Sequence, residues 1–514
     1  QVPNTSLTTG GMNFNSSFNL ASNLQLDATL SYNKVSSPNY PRYGYGPKNH
    51  MYTILIWMGD DVNGKDLRDH MYVPGMEGYR QANYNYAWYN NPYFASEELT
   101  QATDRNVLNA QAKLRWQVTP ELSLQARASG RENKSFDNMK SPKSYMNYGD
   151  SRNGDYKMWN NSQMNVDLDF LASYNKEISK DLNFTLNAGA STFNRDIQQE
   201  YASSDGLIVP FVYSLNNTQG PVQATNYLEQ KSIRSVYGSA NFDLFNAVYL
   251  NVTGRHDWSS TLAKENRSYF YPSASLSTMV SDYIKMPKAL DYLKLYTSWA
   301  KVSNDLAPYS ISSTYTKDVT YGSTPSVTYP NGIINANINS EKSTSYEVGL
   351  STSLVKKVGL EFTYYNVLDE NQIIDLSTSE ASGFKTRKVN GNKYKTQGLE
   401  IMANYSAVKS PNFSWDIAAN WSTSVKKLTE IYNNQAKFGD LKLNERADSF
   451  YGTVWQKSAT GEVILDPNTG LPTRDNFNVN LGHSDPSWRL GLQNKFMIKG
   501  FDVNIDIHGA WGGV

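Results

Sequence analysis

Residues 481–508 read LGHSDPSWRLGLQNKFMIKGFDVNIDIH, and their pattern decides the fold. From Trp488 to Ile498 the apolar side chains mostly occupy every second position. A two-residue turn, Lys499-Gly500, follows, and the alternation starts again at Phe501. A period of two interrupted by a tight turn predicts a β-hairpin with one apolar face and one polar face. Such a hairpin either covers a protein core or faces lipid.

The composition excludes several classes of protein. Among the 514 residues, 48 Lys and Arg balance 48 Asp and Glu, so no global charge favours nucleic acid, and Cys is absent. Aromatic residues make up 13%, yet the mean hydropathy is −0.58. The longest apolar run, residues 51–58, is too short for a membrane-spanning helix. These values exclude a helical membrane protein and allow a transmembrane barrel, in which only alternate residues are apolar.

The same alternation recurs along the whole chain and predicts an all-β fold. We count roughly sixteen segments of about 9 to 18 residues, joined alternately by short turns and long polar connections, as in outer-membrane barrels. Strands of a soluble sandwich are usually shorter, and no blade-length repeat typical of a propeller is visible. No stretch shows a helical period. The sequence therefore predicts a transmembrane antiparallel β-barrel.

The two faces of the predicted strands differ in chemistry. The polar face carries many charged groups, whose unpaired burial in an apolar core would cost several kcal/mol each, so we expect it to line a wet or plugged lumen. The opposite, apolar face should contact lipid. The charged lumen candidates are Asp27, Arg127, Asp167, Asp169, Glu361, Asp502 and Asp506. Aromatic residues near strand ends are expected to form the membrane-interface belts. These are Trp116, Tyr174, Trp299, Tyr364, Trp421 and Trp488.

The first long connection, residues 36–103, is rich in Tyr, Asn, Gly and Pro and is the candidate binding segment. Its aromatic rings are interleaved with amides and one arginine, a combination that suits sugars and peptides. The candidate contacts for a ligand or a capping partner are Trp57, Arg80, Tyr84, Tyr86, Trp88 and Tyr89. The alternative is that these rings pack the connection onto itself or onto a partner protein.

Other motifs have simpler explanations. Asp466-Pro-Asn-Thr-Gly470 resembles the start of a calcium loop, but Phe477 stands where such a loop needs Glu, so a β-turn is favoured. Asp60-Asp61 is expected to be a solvated loop edge rather than an acid–base pair. The five His residues lack metal-ligand spacing, and no nucleophile or phosphate-loop motif is present. We therefore predict no enzyme activity, metal or cofactor.

Several short motifs, in their order along the chain, resemble the SusC/RagA-type TonB-dependent outer-membrane transporters of the Bacteroidetes. Asn91-Pro-Tyr-Phe94 resembles the family's NPY element, and Leu481-Gly with Asp485-Pro486 and Gly491 resembles its late hairpin. Tyr296 and Ala300 depart from the family pattern, which often has Arg and Gly there. The other matching segments are Ser268 to Leu276, Leu293 to Ala300 followed by Asn304, Ser345 to Leu350, and Gln397 to Glu400.

The resemblance implies the following organisation and function. Residues 1–514 would form part of a 22-stranded barrel, without its N-terminal plug, its first strands and its last strands. The protein would lie in the outer membrane, in contact with lipid and lipopolysaccharide, and import oligosaccharides or peptides. A SusD-like surface lipoprotein would act as a lid, the TonB complex would supply energy, and a dimer of SusC–SusD pairs is a further arrangement the resemblance allows. A passive porin or a surface-binding barrel remains the alternative, because sixteen strands also suit a porin.

Overall fold

Sixteen long strands form one antiparallel sheet in which each strand pairs with its neighbours in chain order. The computed structural model describes residues 3–148, 150–318, 320–322, 324–335 and 337–513. The strands are β1 Ser6–Ala21, β2 Leu24–Asn39, β3 Gln101–Gln117, β4 Leu122–Ser141, β5 Asp155–Ser179, β6 Leu182–Ser203, β7 Gln223–Leu244, β8 Val248–Ser259, β9 Ser268–Met279, β10 Leu290–Asn304, β11 Glu341–Leu354, β12 Val358–Glu370, β13 Lys393–Ser410, β14 Phe413–Glu430, β15 Trp488–Ile498 and β16 Phe501–Trp511. These strands correspond one to one with the segments expected from the alternation.

The connections contain short elements of their own. The helical ones are α1 His50–Tyr52, a π-helix Thr53–Trp57, α2 Gly64–Asp69, α3 Pro92–Glu97 and the 3₁₀ turns Val280–Asp282, Glu380–Ser382 and Tyr432–Asn434. The short strands are Tyr145–Asn147, Asp150–Arg152, Thr316–Lys317, Val327–Thr328, Gly332–Ile333, Ile373–Ser377, Thr386–Asn390, Lys437–Phe438, Leu441–Lys442, Ser449–Gly452 and Val479–His483. No helix in the described part of the chain is long and apolar enough to span a membrane.

The chain divides into two compact units, one of residues 1–171 and 191–233, the other of residues 172–190 and 234–514. The first unit contains β1 to β4 and the long connection that follows β2. The second unit contains β8 to β16 and the connections between them.

The hairpin predicted from residues 488–508 is confirmed. Its register pairs Leu492 with Ile507 and Phe496 with Val503, so the apolar side chains of both strands share one face. At the turn, Lys499 and Gly500 have φ of 47° and 91°. Two consecutive positive φ values match the twist of the flanking strands, and glycine adopts this conformation without strain.

In the first unit the face opposite the apolar side chains is held by polar contacts across the strands. Lys113 of β3 lies 2.9 Å from Asp27 of β2, and Asp27 also accepts hydrogen bonds from Ser17 and Gln25. Of the charged groups predicted for this face, Asp27 is thus paired with Lys113, and Arg127 Nη2 lies 3.9 Å from Asp169. The alternating residues of β1 to β4 are largely Phe, Leu and Ala, in register across the four strands.

Two glycines of the quoted sequence motifs are explained by tyrosines on the neighbouring strand. Gly349 of β11 pairs with Tyr296, and Gly398 of β13 pairs with Tyr365. A Cβ atom at either glycine would lie within 2.3 Å of the partner ring. The rings therefore cover the glycine backbone, a pairing that fixes strand register. The tyrosine at position 296, a departure from the family pattern, is one of these covering rings.

Two expectations about regular structure were wrong in detail. β5 has 25 residues, β6 and β7 have 22 each and β4 has 20, longer than the 18 expected at most. The additional residues, such as 155–163 of β5, do not alternate regularly, so hydrophobic alternation does not mark where these strands end. The first long connection also contains helices, but each spans at most six residues, fewer than two turns, and leaves no helical period.

Candidate functional site: an aromatic cluster on the first long connection

The Asn91-Pro-Tyr motif forms the start of α3. The Asn91 side-chain oxygen accepts hydrogen bonds from the backbone N–H groups of Tyr93 (2.9 Å) and Phe94 (3.4 Å). Pro92 occupies the first turn, where its missing N–H costs nothing. Asn91 also donates to the carbonyl oxygen of Leu67, which ties α2 to α3. The motif is therefore an anchor for the connection rather than a ligand contact.

A network of buried amides holds the base of the connection. The Gln81 side chain donates to Asn90 Oδ1 (2.8 Å) and to the carbonyl oxygen of Ser144 (2.6 Å). Asn90 in turn donates to the carbonyl oxygen of Pro47 (2.7 Å) and accepts from the Met146 N–H (2.7 Å). Three chain segments that are distant in sequence meet at these two side chains, both of which are fully buried. Since buried amides need their partners, the segments are fixed together.

Five aromatic rings lie above this base and form a continuous cluster. Trp57, at the end of the π-helix, stacks on Tyr89 with 5.3 Å between ring centroids. Tyr52 contacts both rings at 6.4 Å and also lies 4.8 Å from Tyr45, which stacks on Tyr148 at 5.9 Å. Tyr89 is buried, whereas Tyr45 is 77% exposed and Trp57 47% exposed. The cluster therefore presents aromatic faces to the outside while its inner ring is fixed by packing.

Two hydroxyl groups of the cluster, those of Tyr45 and Tyr89, are neutral hydrogen-bonding groups. A hydrogen bond with Tyr52 raises the pKa of Tyr45 to about 12, and burial raises the pKa of Tyr89. These phenols therefore stay protonated at any physiological pH. The exposed surface combines flat apolar faces with hydroxyls, a chemistry suited to neutral polar ligands.

The structure brings together three of the six predicted residues. Tyr84 donates from its hydroxyl to the carbonyl oxygen of Trp57 (2.7 Å), so Trp57, Tyr84 and Tyr89 form one group. Tyr86 and Trp88 instead project from a tight turn at residues 85–88 and are 64% and 52% exposed.

The remaining predicted residue lies elsewhere, and the sequence interpretation missed three members of the cluster. Arg80 is exposed on a separate turn that follows residues 73–76. Tyr45, Tyr52 and Tyr148 were not predicted. The Tyr-Gly-Tyr-Gly run at residues 43–46 could have pointed to Tyr45, but nothing in the sequence shows that Tyr148 lies beside it.

The last long connection, residues 431–487, contains the remaining motifs. Arg446 binds Asp448 through two parallel hydrogen bonds of 2.9 and 2.8 Å, and Asp485 N–H donates to the same carboxylate. These bonds, Arg446 first, lower the pKa of Asp448 to about 2. Asp466 accepts from the N–H groups of Asn468 and Thr469, which confirms the β-turn.

The other acidic motif, like Asp466, lies at a turn. Asp60 and Asp61 are exposed at a turn, as expected. Within the described ranges, no three His, Asp or Glu side chains are grouped as metal ligands.

Comparison with known proteins identifies the family. Residues 57–506 match the family described as TonB dependent receptor-like, beta-barrel, and the chain belongs to this family. It is an outer-membrane β-barrel protein, and the predicted likeness to SusC/RagA-type receptors is confirmed.

Among curated relatives, the chain is 23% identical over 385 residues to TonB-dependent receptor P3 of Formosa agariphila, covering 66% of this chain and 38% of that protein. It is 22% identical over 465 residues to TonB-dependent receptor SusC of Bacteroides thetaiotaomicron, covering 82% and 45%. Among solved structures, the RagAB peptide importer in its closed-closed state is similar, with a TM-score of 0.80, 15% identity and coverage of 99% and 58%. The chain thus spans less than half the length of these curated relatives.

Proposed function

We propose that the chain is the barrel portion of a SusC-like TonB-dependent importer of oligosaccharides or peptides. In the complete protein a plug domain and further strands would precede or follow these residues. A SusD-like surface lipoprotein would close the outer mouth as a lid, and the TonB complex would supply the energy for transport. The barrel itself would carry out no bond chemistry.

The single observation that carries this proposal is the sixteen-stranded antiparallel sheet whose family match covers residues 57–506. The alternation of short turns and long connections agrees with this proposal. In a series of antiparallel strands, such an alternation places the long connections at the same edge of the sheet. Similarity over nearly the whole chain to a structure described as a peptide importer supports the transport role.

The aromatic cluster is proposed as a ligand contact. Trp57 offers a half-exposed indole face, and Tyr84 and Tyr89 hold it in place from behind. A fixed ring loses little conformational freedom when a sugar or peptide side chain stacks on it, which favours binding. Tyr86 and Trp88, at the tip of their turn, are proposed to contact the lid, since exposed aromatic residues are enriched in protein interfaces. Arg80 is proposed as a further polar contact.

Purification of the full-length protein with its associated components would test this proposal. We expect a surface lipoprotein to copurify, and mass spectrometry of the released small molecules should identify an oligosaccharide or a peptide. Uptake of that ligand by cells should stop when TonB is deleted. Uptake that continues without TonB, together with open-channel conductance of the purified protein, would instead identify a passive porin.

Two substitutions separate the ligand contact from the lid contact. Trp57→Ala should weaken ligand binding at least tenfold with the lid still bound, because truncating a central aromatic contact costs about 2 kcal/mol or more. Trp88→Ala should weaken lid association and leave ligand affinity unchanged. Isothermal titration of the purified complex with the identified ligand measures the first effect, and pull-down of the lid measures the second.

A further inference from the structure

A small cavity lies beside the base of the first long connection, where residues 39–50 pack against α3. Its volume is about 10 Å³, enough for one water-sized species. Its charged or titratable lining groups are Arg42, Lys48, His50 and Tyr40, and no Asp or Glu is among the residues that line it. Of its other polar side chains, Asn39 donates to two carbonyl oxygens, and Ser96 donates to the carbonyl oxygen of Tyr93.

Two nitrogen atoms of the lining residues are buried without a partner. Arg42 donates from Nε to the carbonyl oxygen of Leu99 (3.4 Å), but its Nη2 has no hydrogen-bond acceptor among the described residues. His50 is 5% exposed, and its Nε2 likewise has no partner in the described chain. A buried donor without an acceptor costs about 1–3 kcal/mol. Two such atoms on residues of one small cavity indicate that an acceptor belongs there.

The surrounding charges call for an anion. Neither Arg42 nor Lys48 forms an ion pair with any described residue, although Lys48 lies over the Tyr145 ring at 5.0 Å. The carboxylate that acts on both cations is Asp155. Its Oδ2 already accepts a hydrogen bond from the Tyr145 hydroxyl and lies 3.7 Å from Lys157 Nζ, whereas its Oδ1 has no hydrogen-bond partner among the described residues. Positive charge therefore exceeds negative charge in a partly buried region, an arrangement that is costly unless a counter-charge is present.

We propose that this cavity binds a small monovalent inorganic anion of the halide type, with chloride as the physiological example. The anion accepts hydrogen bonds from Arg42 Nη2 and from the Nε2–H tautomer of His50, while Lys48 balances its charge. The anion links Arg42, which follows β2, to His50 of α1. Both residues lie near the beginning of the connection that carries the aromatic cluster. The cavity has no room for a ligand-sized molecule, so this site is distinct from the proposed transport ligand.

Bromide is the probe, because it replaces chloride and scatters anomalously. Crystals of the full-length protein soaked in sodium bromide should show an anomalous peak at the bromine edge in contact with Arg42 and His50. A cavity that contains only water, with no anomalous peak, overturns the proposal whatever other measurements show.

Thermal unfolding of the detergent-solubilised full-length protein provides the solution test. The melting temperature should rise saturably when gluconate, which is too large for the cavity, is replaced by chloride at constant ionic strength. Arg42→Met should abolish this rise. Arg68→Met is the matched control, because Arg68 is exposed and forms an ion pair with the adjacent Asp69, and it should retain the full rise. If Arg42→Met does not fold, the bromide experiment on the unmodified protein decides. Equal melting temperatures in the two salts contradict the proposal.

Discussion

A lysine near the middle of the outward face of β2 should destabilise the protein strongly. Leu30 lies on the apolar face between Phe14 of β1 and Ala110 of β3, its register partners. Leu30 lies six residues along β2 from Leu24, whose register partner on β3 is Trp116. Trp116 is expected to lie in an aromatic belt at the membrane interface. At about 3.3 Å per residue and a tilt of about 40°, six residues correspond to about 15 Å along the membrane normal. Leu30 therefore lies close to the centre of an apolar band about 25 Å tall.

Three lysine substitutions should change the free energy of unfolding by different amounts, according to their depth and face. Leu30→Lys should lower the free energy of unfolding by about 2–4 kcal/mol, the cost of a charge near the bilayer midplane. Leu124→Lys should cost only about 0–1 kcal/mol, because its register partner is Trp116 at the edge of the band. Thr29→Lys should change stability by less than about 0.5 kcal/mol, since Thr29 faces the opposite side among Asn15 and Gln111.

Equilibrium unfolding of the full-length protein in lipid vesicles, followed by tryptophan fluorescence over a denaturant titration, measures all three values. The expected order of destabilisation is Leu30, then Leu124, then Thr29. Equal costs at Leu30 and Thr29 would refute the assignment of the two faces. A larger cost at Leu124 than at Leu30 would refute the depth derived from the strand register.

Three further outcomes follow from the contacts described above. Asn91→Ala should increase hydrogen exchange across residues 40–100 at least tenfold without affecting the long strands. Asn63→Ala, which removes an exposed helix cap, should lower the free energy of unfolding by about 1 kcal/mol at most. Gly398→Ala should lower stability by about 1–3 kcal/mol in denaturant titrations because its methyl group collides with a tyrosine ring, and Gly359→Ala, with no close neighbour, should be neutral. The folded-state pKa of Asp448 is below its unfolded value, so its ion pair stabilises the last long connection above about pH 4, and this stability is lost as pH falls toward 2. Asp448→Asn should remove the resulting pH dependence of hydrogen exchange in this connection. An unchanged pH profile in the variant would contradict the assignment.

The strand plan could be predicted because the membrane imposes it locally. Each strand must alternate apolar and polar residues, so the pattern is written in consecutive residues, as between Phe501 and Ile507. The Lys499-Gly500 turn was also predictable, and both of its residues adopt positive φ. Strand ends were less predictable. β5 spans 25 residues, and its first part, residues 155–163, lacks the regular alternation of the rest of the strand.

The candidate site was only partly predictable because its contacts connect residues that are far apart in sequence. Composition identified the correct connection, and Trp57, Tyr84 and Tyr89 do form one group. The turn at residues 85–88 separates Tyr86 and Trp88 from that group, and nothing in the alternation of residue types encodes this turn. Tyr148 joins the cluster from the following connection, which the amide network around Asn90 helps to bring near.

The amide network under the aromatic cluster has a consequence for the conditions in which the site keeps its shape. Gln81, Asn90 and Asn91 are uncharged, and their hydrogen-bond partners are one another or neutral backbone groups. Bonds of this kind are neither titrated by acid nor screened by salt, unlike the ion pair at Asp448. An outer-membrane surface meets the salinity and acidity of the surroundings directly. The hydrogen bonds beneath the cluster should therefore persist at acidities that loosen the last long connection.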